Sequence, residues 1–123
     1  MKTEPRISTA EWEVMKVVWK RRSCSAQQVV DDLSAASSWG PATVKTLLNR
    51  LLRKGVLEFR KNGKAYLYSP VWTEEQCREL EAESFLDRVF DGALSPMLAH
   101  FVRSRRLGEQ ELRELERILK ERK

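Results

Sequence analysis

The sequence predicts a mainly α chain carrying one small β wing. Three observations carry this reading. Ser or Thr followed three residues later by Glu or Gln recurs ahead of apolar runs at helical spacing. One Asn-Gly pair separates two short strand-like stretches. The charge is divided unevenly about Trp72: residues 1–72 hold 13 Lys+Arg against 6 Asp+Glu, and residues 73–123 hold 10 against 12. The chain of 123 residues, 41% hydrophobic and 33% charged, suits a small domain with a helical extension and is too apolar for generic disorder.

Ser8-Thr9-Ala10-Glu11 reads as a capping box, in which each end of the motif can satisfy an otherwise unpaired amide of the other. Trp12, Met15, Val18 and Trp19, widened by Val14, then predict a first helix over about 9–20. Ser25 to Gln28 repeats the box, and Val29, Val30 and Leu33 give a short second helix. After a Ser/Ala-rich tract, Pro41 suits the first turn of a third helix, where its missing N–H would have no partner anyway. That helix sets Val44, Leu47, Leu48, Leu51 and Leu52 on one side and Thr43, Lys45, Thr46, Asn49, Arg50 and Arg53 on the other, with Gly55 able to take a left-handed turn at its end.

Beyond Gly55 the period changes. Residues 56–60 and 65–68 are strand candidates around Lys61-Asn62-Gly63-Lys64, a tight hairpin with two lysines expected at its tip. Thr73 to Gln76 opens a long helix to about Phe90, Asp91-Gly92 breaks it, Ser95-Pro96 starts another, and a last helix follows Gly108. Leu80, Phe85, Leu86, Val89, Phe90, Leu98, Phe101, Leu112, Leu115, Ile118 and Leu119 are more apolar surface than so short a region can bury within itself. Self-association through these helices is therefore expected.

The order of these pieces, with a polar-faced third helix leading into a basic hairpin, is that of a winged helix-turn-helix followed by a helical dimerisation region. The expected division is 1–72 for binding double-stranded DNA and 73–123 for forming a homodimer. Arg6, Lys45, Arg50, Arg53, Lys61 and Lys64 could neutralise phosphates, while Thr43, Thr46 and Asn49 are short enough to read base edges or fix the helix depth. Thr43, near a helix start, could instead hold a phosphate.

Other chemistry finds little support. His100 stands alone among apolar neighbours, so no catalytic constellation is expected; Cys24 and Cys77 lie 53 positions apart without metal-ligand spacing, so neither metal nor cofactor is expected. The two thiols suit small buried apolar positions. No apolar run approaches the ~18 residues of a membrane span, and MKTEPRIS lacks the apolar core of a signal peptide, so a cytoplasmic protein without membrane insertion is expected.

The segments ISTAEWEVMKVVW, WGPATVKTLLNRLLRKGVL and EAESFLDRVFDGALSPMLAHF resemble the penicillinase repressor (BlaI/MecI) family over residues 7–121. The resemblance implies a bacterial transcriptional repressor that holds palindromic operators as a dimer and is released when its C-terminal region is disrupted. In the penicillinase branch it implies a partner as well, a membrane-bound sensor protease that answers a cell-wall antibiotic and cuts an Asn-Phe bond. The matching bond here is His100-Phe101, so this chain departs from that pattern at the first residue. The paired CxC motifs of the copper-responsive branch are missing from the terminal ILKERK. The alternatives are a weakly specific architectural DNA-binding protein, a repressor of the same fold answering another signal, and a protein-interaction module.

Overall fold

The structure, a computed structural model, describes residues 4–104 and 107–121. Its elements are α1 (Thr9–Arg21), α2 (Ala26–Leu33), α3 (Pro41–Arg53), β1 (Leu57–Asn62), β2 (Ala65–Pro70), α4 (Glu74–Phe90), α5 (Leu94–Arg103) and α6 (Glu109–Glu121). The chain divides into two compact units, residues 1–81 and 82–123, so the divide falls inside α4.

Both predicted boxes at the start of the chain form. The Ser8 hydroxyl accepts from the Glu11 amide at 3.1 Å while Glu11 accepts from the Ser8 amide at 2.8 Å, and Ser25 with Gln28 repeats the arrangement. Thr73 and Gln76 do the same ahead of α4. In α3, Gly40 caps without a side chain and Pro41 follows in the first turn. The other end of α3 closes on Gly55 at φ +79, whose amide donates to the Leu52 carbonyl while Val56 donates to that of Leu51. This six-to-one, five-to-two pair needs a left-handed residue, which glycine adopts without a Cβ penalty.

The first unit has one core. Val14, Met15 and Val18 of α1, Val29 of α2, and Val44, Leu48 and Leu51 of α3 are fully buried, with Val56, Leu57 and Tyr68 closing it from the hairpin side. Cys24 and Tyr68 exchange both backbone hydrogen bonds, at 3.0 and 2.7 Å, and so tie the loop after α1 to the hairpin. Trp19, Trp39 and Trp72 pack on the margin of the core, and the Trp19 indole N–H donates to the Trp72 carbonyl at 2.9 Å. Cys24 and Cys77 are buried free thiols; burial raises the pKa of both, which suits their expected role as small apolar residues.

The hairpin turn differs in detail from the sequence expectation. Asn62 pairs with Ala65 and Lys61 with Tyr66, so the turn is Gly63-Lys64 and Lys61 lies within β1 rather than at the tip. Only Gly63, at φ +68, takes the positive φ there, as a two-residue turn with glycine first requires. α5 likewise starts at Leu94, one residue ahead of Ser95-Pro96.

In the second unit, Asp91 and Gly92 at positive φ end α4, and the Gly92 amide donates to the Leu86 carbonyl at 3.1 Å. The Phe85 and Phe90 rings lie 5.9 Å apart, and Phe90 also neighbours His100. Neither α5 nor α6 buries a residue in the single chain.

Candidate nucleic-acid interface

Helix α3 has two chemically opposed sides. Val44, Leu47, Leu48 and Leu51 are buried, so the 3.6-residue period turns Thr43, Lys45, Thr46, Asn49, Arg50 and Arg53 outward, and all six are exposed. The core therefore fixes the helix while its polar side stays open. Thr46 spends its hydroxyl proton on the Ala42 carbonyl at 3.0 Å, which leaves its oxygen as an acceptor only. Among the described residues, Lys45, Arg50, Arg53, Lys61 and Lys64 enter no ion pair. Lys61 and Lys64 are exposed on the hairpin that follows α3.

Not every cation of this unit is free. Arg21 makes a two-bonded fork with Asp32 at 2.7 and 2.8 Å, and this guanidinium holds the Asp32 carboxyl below its ordinary pKa. Lys54, at the end of α3, donates to the Glu11 carboxylate at 2.5 Å and to the Arg6 carbonyl at 2.6 Å. Glu11 is only 1% exposed. Burial alone would raise its pKa, but the bonds from Lys54 and from the Ser8 backbone outweigh it, so the carboxyl sits below its ordinary value. Arg6, predicted as a phosphate contact, thus has its backbone fastened to the end of α3 and its side chain exposed.

From the sequence Glu11 is legible only as a cap, and nothing there singles out Lys54. The pair spans 43 positions and has no local pattern; the one available sign was a cap carboxylate placed one residue ahead of the apolar face. Phe59 and Tyr66 of the hairpin, which strand periodicity alone does not single out, stand exposed as well.

The residues expected in a dimer seam form an amphipathic set. Val89, Leu98, Ile118 and Leu119 are exposed in the single chain, and Leu80, Phe85, Leu86, Phe90, Phe101, Leu112 and Leu115 are half-buried. The opposite side of α6 is occupied by ion pairs of Arg117 with Glu114 and Glu121, and of Arg113 with Glu109. His100 and Phe101 lie inside α5, and the His100 carbonyl accepts from the Ser104 amide at 3.0 Å. Among the described residues no group of three or more His, Cys, Asp or Glu could hold a metal ion, and no helix is long and apolar enough to cross a membrane.

Residues 7–121 match the protein family described as Penicillinase repressor. The chain is 42% identical over 123 residues to the penicillinase repressor of Bacillus licheniformis, covering 100% of this chain and 96% of that one. It is 31% identical over 113 residues to the methicillin resistance regulatory protein MecI of Staphylococcus aureus (strain N315), covering 92% of each. A solution structure of the Bacillus licheniformis BlaI monomeric form in complex with the blaP half-operator aligns with TM-score 0.53 and 45% identity, over 62% of this chain and 93% of that one.

Proposed function

Because the chain belongs to the penicillinase repressor family of winged-helix repressors, we propose that it is a homodimeric, sequence-specific transcriptional repressor that binds palindromic operator DNA. Residues 1–72 would hold the DNA and residues 73–123 the second subunit. The observation that carries this reading is the exposed polar and cationic side of α3, continued by Lys61 and Lys64 on the hairpin. A buried apolar side fixes this helix, so binding requires little further ordering of the backbone.

In the proposed complex α3 enters the major groove. Thr43, Thr46 and Asn49 face base edges, or set the helix depth, while Arg6, Lys45, Arg50, Arg53, Lys61 and Lys64 neutralise phosphates. Two copies would occupy half-sites about one helical turn, or a multiple of it, apart and so block access to the promoter. The apolar side chains left exposed on α4, α5 and α6 support the dimer, since such surface is costly in water when uncovered.

Release would follow from disruption of residues 73–123, with a cell-wall antibiotic as signal and a membrane-bound sensor protease as the agent cutting His100-Phe101. A second reading, the same repressor answering another signal, is favoured by two observations. His100 replaces the asparagine of the family pattern, and its carbonyl is tied into the last turn of α5, which must open before a protease can take the bond in extended form.

The test is genome-wide binding of the untagged chain in its host at base-pair resolution, with and without a β-lactam. Narrow palindromic peaks lost on exposure are the expected result. Peaks that persist move the signal elsewhere, and broad coverage indifferent to sequence favours an architectural protein over a repressor.

A further inference from the structure

We propose that Phe59 and Tyr66 form an apolar contact on the wing for the deoxyribose rings of duplex DNA, beside the phosphate that Lys61 neutralises. This rests on the reading of the chain as a duplex-binding protein. The register pairs Phe59 with Tyr68 and Lys61 with Tyr66, and alternate residues of a strand share a face, so these four side chains line one face of the hairpin. Tyr68 is buried and its backbone is bonded on both sides to Cys24, which fixes the base of this face in the core. Phe59, opposite Tyr68, is 48% exposed and Tyr66, farther out, is 40% exposed, with ring centres 4.9 Å apart. The Lys61 ammonium lies 5.7 Å from the centre of the Tyr66 ring. Glu58, the only acidic residue of either strand, belongs to the opposite face.

Charge and size select the occupant. Lys61 on this face and Lys64 in the turn suit a polyanion, and the rings beside Lys61 suit something apolar that accompanies each phosphate, which in duplex DNA is the sugar wall of the minor groove. A second copy of the chain is a poorer fit. Two half-exposed rings offer on the order of 200 Å², against about 1,200 Å² for a stable protein interface. An unstacked base is also a poorer fit, because Phe59 and Lys61 already compete for the faces of the Tyr66 ring.

The experiment uses the full chain and three fluorescent probes: a palindromic duplex recovered from a random library by selection, its scrambled counterpart, and one strand of the palindrome. Anisotropy titrations across a salt series compare the native chain with Phe59→Ser/Tyr66→Ser, Tyr66→Phe and Lys61→Gln. The double variant should bind both duplexes about tenfold more weakly with an unchanged salt slope, since loss of apolar burial releases no counterions. Tyr66→Phe keeps the ring and should hold the native affinity, which separates the ring from its hydroxyl; the double variant should keep the native unfolding midpoint, which separates ring contact from folding; and Lys61→Gln should lower the slope by about 0.9. Unchanged duplex affinity in the double variant overturns the inference, as does a loss confined to the single strand or a change in sedimentation of the free protein. A native chain that recovers no duplex at all would instead overturn the parent reading.

Discussion

Replacing Lys54 by Met isolates the buried charge at the junction of the arm, α1 and α3. Glu11 keeps almost no contact with water, and among the described residues Lys54 is the cation paired with it, at 2.5 Å. Removing one member of a fully buried pair costs about 3–5 kcal/mol, because the other charge stays desolvated and unpaired. Lys54 is 35% exposed, so water screens part of the interaction and about 2 kcal/mol is expected. At about 4–8 °C per kcal/mol for a domain of this size, the midpoint should fall by about 8–16 °C. Trp12, Trp19, Trp39 and Trp72 all lie within residues 1–81, so tryptophan fluorescence during thermal or urea unfolding follows this unit.

The pH dependence gives the prediction a sign. With Lys54 present the folded Glu11 carboxyl lies below its ordinary value, so its contribution is complete above the unfolded pKa, about 4.3, and is lost as pH falls through the folded value. In Lys54→Met burial is opposed only by the bonds from Ser8, so the folded carboxyl loses its largest stabilising partner and its pKa rises from the native position; the gap to the native chain is therefore widest at neutral pH and narrows on acidification. Glu11→Gln/Lys54→Met, which carries neither charge, should recover more than half of the loss. A single variant within about 0.5 kcal/mol of the native chain at neutral pH, or a gap that does not change with pH, would refute the reasoning.

Three further outcomes are expected. Lys64→Gln should weaken binding to operator and scrambled duplexes alike and reduce the salt slope by about 0.9, read in titrations at several salt concentrations. Asn49→Ala should change discrimination among operator variants by about 1–3 kcal/mol at one base pair; uniform weakening would make Asn49 a positioning residue. Leu86→Ala should shift the monomer–dimer balance in sedimentation by about 2 kcal/mol, at the low end of the 2–5 kcal/mol of a full core site because Leu86 is half-buried in the single chain.

Features with a local cause were legible in the sequence. The three capping boxes, Pro41 at the start of α3 and Gly55 at its end each depend on residues within a few positions of one another, and they place α1, α2, α3 and the start of α4. The outward side of α3 was equally plain, because five apolar positions fix its phase. The hairpin was harder. Asn-Gly allows more than one turn register, and a shift of one residue moves every side chain to the other face. The structure resolves this by placing Gly63 first in the turn, which moves Lys61 into β1 and sets it beside Tyr66.

The charge total conceals a division that only tertiary contacts reveal. Residues 1–72 hold 13 cations, yet Arg21 is committed to Asp32 and Lys54 to Glu11, so neither is available to a polyanion without breaking a bond inside the unit. Those two are structural: one joins α1 to α2, and the other fastens the arm and the start of α1 to the end of α3. The unpaired cations Lys45, Arg50, Arg53, Lys61 and Lys64 are spread along α3 and the hairpin, where the internal pairs do not reach. Glu11 thus removes one lysine from the candidate interface while holding Arg6 near the end of the helix that the interface is built on. Lys54 and Arg6, alike in charge, should therefore separate in experiment: loss of the first lowers stability, and loss of the second lowers the salt slope of DNA binding without moving the unfolding midpoint.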